Sequence, residues 1–374
     1  MDRRRIRGRQ PLRSRRHRAD PGAPDEARRT IMKAVTIARQ GDPVAPNIAL
    51  QTDLPSPVAG PEEVVVRTEA SALNHLDLWA GRGLPGLNLE YPKISGSDGC
   101  GIVESVGDGV DASWIGRRVV LNAARWIRGP LAPGVLPAHG ALTMIGEHDP
   151  GTHRECFVAP VSNIVDVGGI DPVSAAAFGL SHLTAWGMLV NRAGLQPGQW
   201  VLITGIGGGV ALAALNIARW MGCRIVVTSR HQWKLDRALE LGAEFGVLDE
   251  GADWSRTVRQ FTGKRGVDVC ADSVGPAIHN ACIRSLARRG TFVTCGSTTQ
   301  CDCPIDLTRI FWNELSILGS SMGDMDSFRS VLALLGDGTM TPVVDSTWKA
   351  DEAASAWERL ESGEHFGKIV LNWS

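Results

Sequence analysis

Two hydrophobic rhythms divide the chain. From Met32 onward, apolar residues come in short runs broken by Gly, Asp and Pro: MKAVTIARQGD, EEVVVRTEASALN (62–74), GCGIVESVGDGV and RRVVLNA. Such runs predict a region of short β-strands. Beyond Pro172 the pattern lengthens. PVSAAAFGLSHLTAWGMLVNRAG, rich in Ala and Leu, predicts a helix that ends at Gly194. Strand-like and helix-like segments then alternate: WVLIT, the helix from Gly209 to Met221, CRIVVTS, KLDRALELG, GVLD, WSRTVRQFTG, VDVCADSV, IHNACIRSLARRG, TFVTCGS and LSILGSS (315–321). Apolar strands alternating with helices predict an α/β architecture, a doubly wound parallel sheet with both faces covered. SFRSVLALLGDG and HFGKIVLNW predict a helix and a last strand that returns to the first region. The expected division is a leader at 1–31, a β-rich domain at 32–164, an α/β domain at 165–322 and a return segment at 323–374.

The first strand and helix of the alternating region enclose a glycine turn, VLITGIGGGVALAALNIARWMG (201–222). A tight strand-to-helix turn calls for Gly205, and a pyrophosphate approaching the backbone calls for Gly208 and Gly209. Val210 follows in the first turn of the helix, whose free N–H groups and dipole attract phosphate. Small Ala211 allows close packing of helix on strand. The spacing Gly-x-x-Gly-x-x-Ala departs from the usual Gly-x-Gly-x-x-Gly, and draws its weight from the strand–helix series around it. At the end of the second strand, NAD proteins carry an acid that binds the ribose hydroxyls. Here the residues are Thr228-Ser229-Arg230, with Lys234 one turn on. A hydroxyl and a guanidinium bind a 2′-phosphate that a carboxylate would repel, so the expected cofactor is NADP(H).

Composition changes this picture little. The chain of 374 residues is 43% hydrophobic and 21% charged, and holds no run of about 18 uninterrupted apolar residues that would mark a membrane span. Its net charge of −1 conceals an asymmetry: residues 1–31 carry 11 Arg against four acids, leaving 28 basic and 36 acidic residues beyond. An acidic body argues against nucleic acid as a partner. The leader lacks the apolar core of a secretory signal and reads as a disordered tail, or as translation begun upstream of a start at Met32. Eight scattered cysteines without a Cys-x-x-Cys point to neither a disulfide framework nor a zinc ribbon, and fit a reducing cytoplasm. Cys301-Asp-Cys303 reads as a plain loop.

The order of parts from Met32 to Ser374 resembles the medium-chain dehydrogenase/reductase superfamily. SALNHLDLWAGRG, ISGSDGCGIVESVGDGV, LTAWGML, VLITGIGGGV, DSVG, ILGSS and FGKIVL are similar to its landmarks, with the quinone-oxidoreductase and zinc-type alcohol dehydrogenase-like branch nearest. The resemblance implies a GroES-like β-rich catalytic domain joined to a Rossmann domain, and a homodimer paired through the edge of the nucleotide-domain sheet. It also implies where a catalytic zinc would bind, and there the chain carries Asn74, Ser97 and Leu180 instead of Cys, His and Cys. The segment matching the structural zinc lobe, RWIRGPLAPGVLPAHGALTMIGEH, has no cysteine; His139, His148 and His153 in or near it read as polar loop residues. No metal is expected.

Leu76 stands where alcohol-oxidising relatives start a proton relay, and leucine cannot accept a proton. The resemblance therefore implies zinc-independent hydride delivery from NADPH to a small-molecule acceptor, a quinone or an α,β-unsaturated carbonyl. An alcohol or aldehyde dehydrogenase, or an NADPH-binding protein without turnover, are the alternatives. Asn74 and Asp77 are the candidate catalytic residues, although Asp77 and His182 also read as satisfied structural groups and Asp98 as a loop anchor. By position, His75 and Lys368 would reach the cofactor phosphates and Thr184 the nicotinamide. Ser273 and Val274 would border the adenosine, while Cys295, Gly296, Ser297, Gly319 and Ser320 would border the nicotinamide ribose. Trp79 and Pro85 replace tyrosines of the quinone reductases. Loops 82–91 and 122–150 would carry specificity.

Overall fold

The computed structural model describes residues 31–374 except 85, 128–140, 252 and 300–302. The leader through Thr30, Pro85, His139 and Cys301 lie outside the described residues.

The described residues open with an antiparallel hairpin, β1 (Ile31–Ile37) and β2 (Ile48–Pro55). The sequence reading did not anticipate β2, whose side chains are at best half-buried and give little hydrophobic signal. Then come β3 (Glu63–Ala72), the short helix α1 (His75–Arg82), β4 (Asp98–Val106), β5 (Arg118–Leu121), a second hairpin of β6 (Ala124–Ile127) and β7 (Ala141–Met144), β8 (Cys156–Pro160) and β9 (Ile164–Asp166). Helix α2 (Pro172–Trp186) runs on as a π-helical turn from Gly187 to Arg192. Together they make 21 residues apolar enough to cross a bilayer, yet 72% of the most apolar window is buried inside the protein, which marks a core helix. Ala175, Ala176, Ala177 and Phe178 on α2 are fully buried.

The alternating region follows as β10 (Trp200–Ile203), α3 (Gly209–Trp220), β11 (Arg224–Ser229), α4 (Gln232–Glu240), β12 (Phe245–Leu248), α5 (Ser255–Phe261), β13 (Val267–Asp272), α6 (Pro276–Ser285), β14 (Leu286–Thr294), α7 (Leu307–Asn313) and β15 (Ser316–Gly319). Its six strands form one parallel sheet in the order β12-β11-β10-β13-β14-β15. The helix expected to reach Gly290 stops at Ser285. Leu286 is already extended and pairs with Val267, so Leu286 and Ala287 enter the core as strand residues.

The tail supplies α8 (Met325–Gly336), β16 (Val344–Lys349), α9 (Ala353–Ser362) and β17 (Lys368–Asn372). β17 pairs antiparallel with β3, and the first sheet runs β16-β17-β3-β4-β5-β9 with β8 also on β3.

Candidate functional site

The parallel sheet grows from β10 to β11 and β12 on one side, then to β13, β14 and β15 on the other. Ligands of such sheets bind at this reversal, outside the carboxyl ends of the strands. The turns after β10 and β13 meet there: Gly205 has φ +60°, and a Cβ on it would lie 2.8 Å from Val274 Cγ2. Asp272, wholly buried, fixes the second turn by accepting from Thr204 Oγ1 (2.6 Å), the Val274 N–H (3.1 Å) and the Gly275 N–H (2.9 Å). Burial raises its pKa, against the pull of those donors.

The three consecutive glycines serve different ends. Gly207, which the sequence reading passed over, has φ +120°, and a Cβ there would sit 2.8 Å from Lys234 Cδ. Gly208, the N-cap of α3, faces open space, with no atom within 4 Å of where its Cβ would be. At Gly209 a Cβ would lie 2.7 Å from Lys368 Cδ, so glycine there makes room for a lysine stem. No side chain caps α3, whose first turn carries Gly209, Val210 and Ala211. A phosphate therefore has an approach at Gly208 onto a helix N-terminus.

Beyond β11, Arg230 is exposed and makes no hydrogen bond or ion pair with the described residues. Ser229 is buried, its Oγ accepting from the His231 N–H at 3.1 Å. Lys234 does not stand beside Arg230 in the open. It is buried against the glycine turn, and its Nζ donates to the Gly363 carbonyl at 2.5 Å. Burial lowers its pKa, with Glu364 opposing. The loop from Gly363 to Gly367 reaches the same turn, because the Gly367 N–H donates to the Gly207 carbonyl at 2.9 Å. It places His365 with its ring 6.3 Å from that of His75. His75 keeps an exposed ring, but surrounding protein and the Arg82 and Lys368 charges lower its pKa. His365 is buried, with Nδ1 unpartnered among the described residues and its pKa lowered to about 4, chiefly by burial.

At the other end of the crevice, Cys295, Gly296 and Ser297 follow β14. A Cβ on Gly296 would lie 3.6 Å from the Trp79 ring, so α1 comes close to the end of β14. Trp79 thereby becomes a candidate site residue that the sequence marked only as a replacement for tyrosine. Burial pushes the Cys295 thiol up to about 12, leaving it protonated at neutral pH. The Thr184 hydroxyl donates to the Leu180 carbonyl at 2.8 Å and lies 3.5 Å from Met322 Sδ. Gly187, three residues on, packs against Met322 and the Ser320 hydroxyl, which brings Thr184 and the end of β15 together. Gly319 differs, since its carbonyl accepts from Arg192 Nε at 2.9 Å.

The candidate catalytic centre departs furthest from expectation. Lys368 does not reach for phosphate: its buried Nζ donates to the Leu73 carbonyl (2.7 Å), Asn74 Oδ1 (2.6 Å) and Asp98 Oδ2 (2.9 Å). Those three acceptors consume its three donors. Asn74 is committed too, with Nδ2 donating to Asp98 Oδ2 (2.9 Å) and the Ala72 carbonyl (3.3 Å). Asp98 anchors more than a loop, for its Oδ1 also accepts from the Leu180 N–H on α2 at 2.7 Å.

Asp77 is 1% exposed, accepts from the Asn74 N–H (2.8 Å) as the capping box of α1, and lies 3.4 Å from His153 Nε2. Burial would raise its pKa, but His153 and the hydrogen bonds hold it below the usual range. It anchors a helix and does not face the cleft, so the structural alternative replaces the catalytic one. His182 is likewise packed on Phe178 and hydrogen-bonded to its carbonyl at 3.1 Å, with its pKa lowered to about 3 by burial.

Zinc requires thiolate, imidazole or carboxylate donors. The positions that the resemblance assigned to its ligands hold an engaged amide, a leucine side chain, and a Ser97 hydroxyl that donates to the Ile145 carbonyl at 2.8 Å. A lysine ammonium is hydrogen-bonded among them. These residues do not fit the metal. His148 and His153 are engaged elsewhere, with the Met144 N–H and Ser71 Oγ. Among the described residues no three His, Cys, Asp or Glu side chains gather to hold a metal ion. A cavity of about 300 Å³ in the loop after α1, lined by Gln40, Gly83, Leu87 and Tyr91 among others, shares no residue with this centre.

Residues 60–169 match the alcohol dehydrogenase GroES-like domain, and residues 209–337 match the zinc-binding dehydrogenase family. A zinc-type alcohol dehydrogenase-like protein of Schizosaccharomyces pombe is 31% identical over 324 residues, covering 83% of this chain and 91% of that one. The quinone oxidoreductase of Homo sapiens is 24% identical, over 91% of this chain and 98% of its own. Among solved structures, an NAD-dependent alcohol dehydrogenase superposes with a TM-score of 0.83 at 34% identity, covering 92% of this chain and 100% of that chain.

Proposed function

The chain belongs to the medium-chain dehydrogenase/reductase superfamily of oxidoreductases, and within it we propose a zinc-independent, NADPH-dependent reductase of quinones or α,β-unsaturated carbonyls. The observation that carries this reading is the Asn74–Asp98–Lys368 cluster, which puts an ammonium and an amide among the positions where relatives would hold a metal. Without a Lewis acid, the acceptors that suit the site best are those whose developing charge delocalises over a conjugated system.

The nicotinamide supplies the hydride when bound. The protein's own parts supply the rest: the backbone at Gly208 and the first turn of α3 receive phosphate, Arg230 takes the 2′-phosphate, and Trp79 closes the cleft beside Gly296. Leu76 has no proton to relay, so the acceptor's proton comes from water in this reading. The seven cysteines among the described residues are free, which supports a cytoplasmic setting.

The alcohol dehydrogenase reading is favoured by the NAD-dependent relative. One screen separates the two: cofactor oxidation with quinones, enones, enoyl thioesters and aldehydes, and cofactor reduction with alcohols. Turnover of NADPH with a conjugated acceptor is expected. Alcohol-driven reduction of NAD⁺, with no activity toward conjugated acceptors, would overturn the proposal.

A further inference from the structure

Lys368 is the first residue of β17, in the tail of the chain, yet its ammonium is tied to residues from two distant segments. It grips the Leu73 carbonyl and Asn74 Oδ1 just ahead of α1, and the Asp98 carboxylate at the start of β4. Asp98 passes the link on to α2 through the Leu180 N–H. Lys368 is 4% exposed and Asp98 wholly buried, so neither charge is shared with solvent. The surroundings are shaped for them: a side chain at Gly209 would strike the lysine stem, and one at Gly179 would start 2.8 Å from Asp98 Oδ1.

A buried ion pair gains little over a well-packed neutral pair, so its retention calls for another role. Asn74, which Lys368 holds, is the N-cap of α1, and α1 carries His75 and Trp79 to the crevice. We propose that Lys368 is the site's built-in cation, a positioning residue that does the joining work of a metal ion between Asn74, Asp98 and α2, and is not a ligand of the cofactor phosphates. The inference rests on the zinc-independent reading above.

The test is a double-mutant cycle of Lys368→Met and Asp98→Asn on the full chain, read by thermal unfolding, NADPH titration and steady-state kinetics. Each single change strands a buried partner and should lower Tm by about 10 °C. The double variant should recover at least half of that loss and bind NADPH within about threefold of wild type. Its kcat should fall by tenfold or more while KM for NADPH holds, because α1 has lost its anchor. Should the single variants not fold, the double variant decides alone. A double variant that fails to fold, or that keeps full kcat, would overturn the proposal. So would Lys368→Met with wild-type Tm and NADPH affinity down tenfold, which would return the ammonium to phosphate binding. Zinc found in the wild-type protein would instead sink the functional reading itself.

Discussion

Replacing Arg230 by alanine tests cofactor choice at a single side chain. Arg230 has no partner among the described residues, so its removal costs the free protein little and the effect should appear on binding. The other basic residue nearby, Lys234, is buried with its Nζ engaged by Gly363, which leaves Arg230 as the cation free to meet a 2′-phosphate. One charge-assisted contact is worth about 1.5–3 kcal/mol, so Arg230→Ala should weaken NADPH roughly 10- to 150-fold. NADH makes no such contact and should bind as before. Because the guanidinium is exposed, the preference should also shrink with salt, as the Debye length falls from about 10 Å at 0.1 M to about 3 Å at 1 M. Fluorescence titration of both cofactors at two salt concentrations measures all of this. Wild-type protein that binds NADH as tightly as NADPH, or a variant that loses both equally, would refute the assignment.

Metal analysis of purified protein should find far less than one zinc per chain, with activity unchanged by chelators; stoichiometric zinc would end the zinc-independent mechanism. A two-fold homodimer is expected because β15 ends the parallel sheet with an open edge, beside exposed Leu307, Phe311, Trp312 and Ile317. Light scattering at micromolar concentration should report a dimer and Trp312→Glu a monomer, whereas a wild-type monomer would count against pairing. His365 and His182 are held neutral, with pKa values near 4 and 3 against 6.5 when unfolded. The unfolded chain binds their protons first, so this contribution is complete above pH 6.5 and is lost as pH falls toward 4. For His365 the loss is roughly 3 kcal/mol, and His365→Asn should flatten the decline of urea midpoints between pH 7 and 4.5; an unaltered slope would show that burial of this ring does not set it.

The alternating half of the fold was legible because its buried parallel strands are largely apolar runs and α3, α4 and α5 are each followed within two residues by a glycine. LSILGSS, CRIVVTS and VDVCADSV all became strands of the expected sheet. Where neighbours decide the conformation, the reading failed. β2 is paired by β1 and not by its own pattern. Leu286 and Ala287 look helical in isolation, yet Val267 draws Leu286 into the sheet. Gly207 sat between two glycines with motif roles, and only its φ of +120° and the Lys234 stem reveal its need.

The candidate site shows the same boundary more sharply. A residue's type limits the chemistry open to it, so Asn74, Ser97 and Leu180 could be judged unfit for zinc without a structure. A residue's direction is set by what lies across the fold. Lys368 and Gly209 are 159 positions apart in the chain, and each looked like part of a phosphate cradle. Placed side by side, they explain one another: the glycine is small so that the lysine can turn inward, and the lysine turns inward because Asp98 is buried there. Of the basic residues assigned to the cofactor, burial withdraws Lys368 and Lys234 and leaves Arg230 and His75 facing solvent. In the proposed NADPH reading, phosphate recognition would rest on backbone amides and one arginine, and the arginine's loss should be felt strongly.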